Sequence, residues 1–281
     1  MRWALTIAAV LACGCVLSGC AQETKRATPA LVVGVCDPMC EDTASPCIQA
    51  SAKRDYRVLA PVVKEQCGIE LTLKFYTLDE QLVEAVERGE VNAAIAKTWT
   101  VLCASKGRTF ERIADVPRPD GVTELSGVFI TRADSPLSTI GDLNGKTVAL
   151  RPDVAYEKSH AARRALREAG VTPGAVRILD GCVPVAAAVF EKKVDAGVVS
   201  DYVTDFGGLA LVSDPKDFKI IGRTEPVPFI TFAVSTDVEA PVRAKLRNVL
   251  LKLCGDTVPA GLHTSGFVEA TPWTPVELER K

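Results

Sequence analysis

The chain has 281 residues, with 33 basic against 35 acidic side chains and a net charge of −2. A length of this order allows one large or two modest domains, and the balanced charge excludes nucleic acid as a partner, since neutralising phosphates needs a clear basic excess. With two histidines and no G-x-S-x-G, H-E-x-x-H or Walker-type loop, no catalytic constellation is expected, nor any cofactor.

The N-terminal stretch "MRWALTIAAVLACGCVLSGC" carries one positive charge, Arg2, before a short apolar run. It reads as a secretory signal, residues 1–19, and not as a membrane span. It stops at Leu17-Ser18-Gly19-Cys20, which looks like a bacterial lipobox with Cys20 as the acylated new N-terminus. Acyl chains contribute roughly 0.8 kcal/mol per buried CH₂, so two or three tether a folded domain firmly to a membrane. Residues 20–30, polar and rich in small side chains, form the tether. Seven cysteines follow Cys20: Cys36, Cys40, Cys47, Cys67, Cys103, Cys182 and Cys254. Export predicts disulfides for most of them. "CDPMCEDTASPC" lacks zinc spacing and has no histidine nearby, so disulfides are expected in preference to metal.

From residue 30 onward, short apolar runs alternate with helical patterns. "ALVVGV" (30–35) is a strand, "DYRVLAPVVKEQCG" (55–68) a helix with Pro61 in its first turn, and "IELTLKFY" (69–76) a strand. "TLDEQLVEAVERG" (77–89) is a helix with Thr77 and Glu80 at capping-box spacing and Gly89 at its end. "VNAAIA" (91–96) leads as a buried strand into "KTWTVLCASKG". The second series runs through "SGVFITR" (126–132), "KTVAL" (146–150), "AVRIL" (175–179), the helix "PVAAAVFEKK" (184–193), "DAGVVS" (195–200) and "FKIIG" (218–222). "PFITFAVS" (228–235) and a long helix (240–255) close the chain. The expected fold is α/β with mostly parallel sheets, in two lobes joined by crossing strands near 126–132 and 228–235. Lobe 1 comprises 31–125 plus 236–281, and lobe 2 comprises 126–235 including the hinge strands. Hinged lobes make a cleft that closes on small molecules.

The runs "LSTIGDLNGKTVAL…ALREAGV…FEKKVDAGVV" resemble the periplasmic phosphate/phosphite/phosphonate-binding proteins that feed ABC transporters. "AVERGEVNAAIAKTWTVL", "VDAGVVSDYV" and "PVPFITFAVS" before a terminal amphipathic helix match the same pattern. The resemblance implies a type 2 periplasmic-binding-protein fold and a Ser/Thr-rich, Gly-ended turn that cradles the ligand. Here that turn is "PDVAYEKSHAARRAL", with one serine, a histidine and no glycine, and Asn92 replaces the family's Asp.

Candidate ligand contacts lie beyond strand carboxyl ends, where open α/β sheets bind ligands. They are Asp37, Thr98, Trp99, Asp201 and Tyr202, with Lys97 and Arg151 favouring a negative solute. Tyr156, Ser159 and His160 lie at a helix start, whose unpaired N–H groups and positive dipole end favour anions. Ser159 is either the N-cap or a ligand contact. These features lead to an expected extracytoplasmic, lipid-anchored, monomeric solute-binding protein that passes a small phosphonate- or phosphate-like oxyanion to an ABC permease. The alternatives are a sensor of the same fold coupled to a membrane signalling partner, and a binder of a sulfonate or other small organic acid.

Overall fold

The computed structural model describes residues 29–105 and 109–276, so the leader and Cys20 lie outside the described residues. In chain order the first lobe holds β1 (Ala30–Cys36), α1 (Leu59–Cys67), β2 (Glu70–Phe75), α2 (Asp79–Glu87), β3 (Ala93–Lys97), α3 (Thr98–Ala104) and β4 (Phe110–Val116). A short strand, β5 (Glu124–Leu125), leaves it. The second lobe follows with β6 (Gly127–Arg132), β7 (Thr147–Leu150), α4 (His160–Glu168), β8 (Ala175–Ile178), α5 (Cys182–Phe190), β9 (Ala196–Ser200), α6 (Asp201–Asp205) and β10 (Phe218–Arg223). The chain returns through β11 (Val227–Pro228) to β12 (Ile230–Ser235) and α7 (Ala240–Leu250).

Two five-stranded sheets result, ordered β2-β1-β3-β12-β4 and β10-β6-β9-β7-β8. The fold is therefore two-lobed and α/β, but its sheets are mixed where mostly parallel ones were expected. β1 pairs parallel with β2 and β3, and β7 pairs parallel with β8 and β9. A strand that has just crossed between lobes enters its sheet from the opposite end. Accordingly β12 is antiparallel to both β3 and β4, and β6 is antiparallel to β9 and β10. The crossing itself is narrower than the expected 126–132 and 228–235. It is the two-residue ribbon β5–β11, pairing Leu125 with Val227 and Glu124 with Pro228. β12 belongs to the first sheet, not to the second lobe.

The local reasons are simple. β3 and β9 are buried at every position, as central strands covered on both faces must be, and their sequences contain only small or branched apolar residues before the last one. α2 stops at Arg88 and Gly89, whose φ of 69° suits glycine. The expected capping box does not form: Leu78 is the N-cap with no side-chain bond, and Thr77 faces the cleft. α7 packs on α1 and β4, so the C-terminal helix closes the first lobe. Among the described residues no helix is long and apolar enough to cross a membrane.

Gly127, first in β6, is required by a close approach. A Cβ there would meet the carbonyl oxygen of Glu157 at 2.2 Å. The hinge strand and the turn before α4 therefore lie backbone against backbone, which carries Glu157 and Lys158 to the lobe boundary.

Candidate functional site

A cavity of about 340 Å³ lies between the lobes. The first lobe contributes Ser45–Cys47, Thr77–Glu80 and Lys97; the second contributes Arg151, Lys158, Asp180–Pro184 and Tyr202. Lys97 ends β3, Arg151 follows β7, and Asp180–Gly181 follow β8, so the carboxyl ends of three strands face one space. Gly181 holds φ 133° as the N-cap of α5. This backbone, open to glycine and strained for other residues, turns the first turn of α5 toward the cavity.

The polar floor is a buried ionic cluster. Glu157 Oε1 lies 3.0 Å from Lys158 Nζ and 3.5 Å from Lys97 Nζ, and the Ser200 hydroxyl donates to it at 2.7 Å. Lys158 Nζ also donates to Ser200 Oγ at 2.7 Å and reaches Cys182 Sγ at 3.6 Å. Burial alone would push the Glu157 carboxyl up, but the Lys158 and Lys97 ammoniums outweigh it and hold the group well below the usual carboxylate range. Burial likewise disfavours both ammoniums. For Lys97 the dominant compensation is Glu157; for Lys158 it is Cys182, then Glu157, and both lysines stay charged. Two lysines share one carboxylate at the floor, with the Cys182 sulfur beside Lys158. Arg151 extends this cluster, its guanidinium paired with the exposed Asp180 at the rim. Arg151 Nε and Thr98 Oγ1 are buried with no hydrogen-bond partner among the described residues.

The start of α4, expected to seat an anion, is filled by the protein itself. A single 3-10 turn, Tyr156–Lys158, precedes the helix, and Tyr156 to Ser159 are all buried. Ser159 is the N-cap residue, but its hydroxyl does not cap: it donates to Asp153 Oδ1 at 2.5 Å. The aromatic rings of Trp99 and Trp273 cover this corner, 4.8 Å and 5.0 Å from the Tyr156 ring, and His160 lies 5.2 Å from Trp99. Trp99 Nε1 donates to the Asp153 carbonyl at 2.9 Å, tying the first lobe to the second. Tyr156, Ser159, His160 and Trp99 are thus brought together, but as an interlobe seam beside the cavity.

The other expected contacts separate. Asp37 is drawn into a structural network: Oδ2 accepts from Arg54 Nη1 and from the Tyr56 hydroxyl, both at 2.7 Å, while Oδ1 accepts from the Met39 amide at 2.8 Å. Its carboxylate is fully used and fully buried. Asp201 accepts from the Ser126 amide at 3.0 Å and the Tyr202 amide at 2.7 Å, which fixes the hinge. Burial pushes its carboxyl up despite those bonds. Tyr202 lines the cavity, stacks on Phe229 with centroids 5.7 Å apart, and presents its ring to Lys97 and Lys158. Lys158, Glu157, Ser200, Cys47 and Cys182 were not anticipated. The strand-end rule applied to "AVRILDGC" would have pointed to the start of α5.

Among the described residues the expected pairing is not seen for Cys36, Cys40, Cys47, Cys67, Cys182 and Cys254, which form no disulfide. Most have separate surroundings. Cys36 Sγ lies 3.8 Å from Asp79 Oδ1, and Cys67 Sγ donates to the Val63 carbonyl at 3.1 Å. Cys47 and Cys182 are different, because they face one cavity from opposite lobes, Cys47 on a one-turn helix, Pro46–Ile48, that packs against α5. The compact acidic group Glu41, Asp42 and Asp55 has Asp42 and Asp55 already paired with Arg57.

A polar cavity enclosed by two α/β lobes on a two-residue hinge defines a solute-binding protein of the periplasmic type. The chain belongs to the family of ABC-transporter phosphonate periplasmic substrate-binding proteins, whose family model matches residues 45–274. That family serves transport and is not enzymatic, and it implies an extracytoplasmic location, a small ligand and a membrane permease as partner. No curated protein sequence matches the chain. Among solved structures it is similar to XAC2383 from Xanthomonas citri bound to ATP, at 22% identity and TM-score 0.67, covering 89% of this chain and 94% of that one. PhnD1 from Prochlorococcus marinus in complex with methylphosphonate is 15% identical, with TM-score 0.63 and coverage of 86% and 93%. The aliphatic sulphonate binding protein SsuA from Escherichia coli is 18% identical, with TM-score 0.57 and coverage of 79% and 70%.

Proposed function

We propose that the chain captures a phosphonate-class oxyanion between its lobes as a monomer tethered by lipid on Cys20. The observation that carries this reading is the grouping of Lys97, Lys158 and Arg151 on a cavity built from both lobes. A phosphonate seated there would meet the first turn of α5 and Arg151 from lobe 2 and Lys97 from lobe 1. Hydrogen bonds to charged groups contribute about 1.5–3 kcal/mol each. Four or five therefore supply the roughly 8 kcal/mol of a micromolar Kd after ordering costs. Because the solute touches both lobes only when they are shut, its differential affinity favours the closed form. Asp79, Glu80 and Asp180 line the same cavity, so a phosphonate that also carries an ammonium suits it better than a bare phosphate dianion. Asp201, one of the expected contacts, is used at the hinge instead.

The test is a thermal-shift and calorimetric panel of methylphosphonate, 2-aminoethylphosphonate, phosphate, methanesulfonate and ATP. A ligand that binds only the native state raises the melting temperature. The expected order places 2-aminoethylphosphonate first. A response to the sulfonate or ATP without one to any phosphonate would overturn the reading.

A further inference from the structure

The two thiols at the lobe boundary lead beyond solute capture. Cys47 sits in a one-turn helix, Pro46–Ile48, on the long loop between β1 and α1 of the first lobe. Cys182 is the first residue of α5 in the second lobe. Both are buried in one apolar cluster with Ile48, Val185 and Leu209, and both line the solute cavity. The loop that carries Cys47 is fixed at its base to the first lobe: Asp37 binds Arg54 and Tyr56, and Arg54 continues to the Pro117 carbonyl. Its tip packs on α5 and α6 of the second lobe, and the Cys47 carbonyl lies against Gly208 there, so a bond from Cys47 to Cys182 would tie a loop rooted in the first lobe to the second.

We propose that Cys47 and Cys182 are a redox latch: their disulfide, formed by exchange with a disulfide-class oxidant, locks the lobes shut. Cys182 is the attacking sulfur. The adjoining Cys47 and the ammoniums of Lys158, 3.6 Å away, and Lys97 pull its thiol well below the ordinary range against the effect of burial. The adjoining Cys182, together with burial, keeps Cys47 protonated. The Cys182 thiolate attacks one sulfur of RSSR, the reagent's S–S bond breaks, and RS⁻ departs. That RS⁻ takes the Cys47 proton and leaves as RSH. The Cys47 thiolate then attacks Cys182 Sγ and displaces the second RS⁻. Two protein sulfurs are oxidised and one RSSR is reduced to RSH and RS⁻. The cavity gives a small disulfide access to both sulfurs. The latch acts on lobe motion and does not depend on which solute is held.

The experiment treats the purified protein, without added solute, with oxidised glutathione, and reads two quantities. Peptide mass mapping without reductant should yield a Cys47–Cys182 linked pair, with loss of iodoacetamide labelling at both positions. Small-angle scattering should show a smaller radius of gyration for the oxidised than for the reduced protein, and dithiothreitol should restore the larger value. Cys47→Ser treated alike should keep the reduced protein's radius; the wild-type map stands even if that variant does not fold. The proposal is overturned if both thiols stay open to labelling, if either is joined only to glutathione or to another cysteine, or if the linked protein scatters like the reduced one.

Discussion

The starts of α4 and α5 are the same device on one lobe with opposite outcomes. Each is a helix beginning beyond a strand's carboxyl end, near the lobe boundary. At α4 the preceding turn carries its own acids: Glu157 sits on the two lysines and Asp153 takes the Ser159 hydroxyl. At α5 the preceding residues are Asp180, whose carboxylate faces out to Arg151, and Gly181, which has no side chain, and the turn faces open space. A helix start at a cleft stays open to a solute only where the chain's own side chains leave it uncovered.

Glu157→Gln should break this contrast most strongly. It leaves two buried ammoniums without their carboxylate, and breaking a buried pair from one side costs about 3–5 kcal/mol. The sign with pH follows from the depressed Glu157 carboxyl. Its stabilisation is full above the ordinary value of 4.5 and fades as the pH falls toward the lower folded-state value. The melting-temperature gap between wild type and variant should therefore be widest near neutral pH and shrink below that value; a gap constant with pH would remove the ion-pair account.

Arg151→Gln probes the α5 side. Among the described residues its guanidinium pairs with an exposed carboxylate at the rim and the Leu179 carbonyl, so stability should change by about 1 kcal/mol or less. Affinity for the best phosphonate should fall about tenfold, equal to about 1.4 kcal/mol, when read by calorimetry. Equal affinity in both proteins would move the anion away from α5.

The smallest effect is expected at Thr98, whose buried hydroxyl lacks a partner among the described residues. Leaving such a group unpaired costs about 1–3 kcal/mol, so Thr98→Val should hold or raise the ligand-free melting temperature. If the hydroxyl meets the solute, the same change lowers affinity, and the two readouts move in opposite directions. A fall in ligand-free stability would mean that the hydroxyl has a protein partner.

Much of this architecture was legible in the residues. Runs such as "VNAAIA" and "DAGVVS" are apolar throughout because central strands are covered on both faces, and their order indicated two lobes. β4 was hidden because Glu111, Arg112 and Asp115 interrupt its pattern; in the fold Arg112 and Asp115 pair at 2.8 Å along the edge of the sheet. The strand-end rule found Lys97, Arg151 and Tyr202 on the cavity. It failed at Asp37, because the partners that consume that carboxylate, Arg54 and Tyr56, lie 17 and 19 residues away. The helix-start rule failed at Ser159 because residue types alone do not show where a neighbouring acid will turn.

The hinge has one more consequence. Covalently the lobes are joined by two strands, yet the paired ladder between them is only two residues wide on each side. Thr98, the first residue of α3 and next to Lys97 on the cavity, donates its amide to the carbonyl of Phe229, the residue linking β11 to β12. Flexing of the ribbon is thereby geared to the floor of the binding space, so substitutions at 227–229 should alter how fast a solute escapes more than how well its charges are matched.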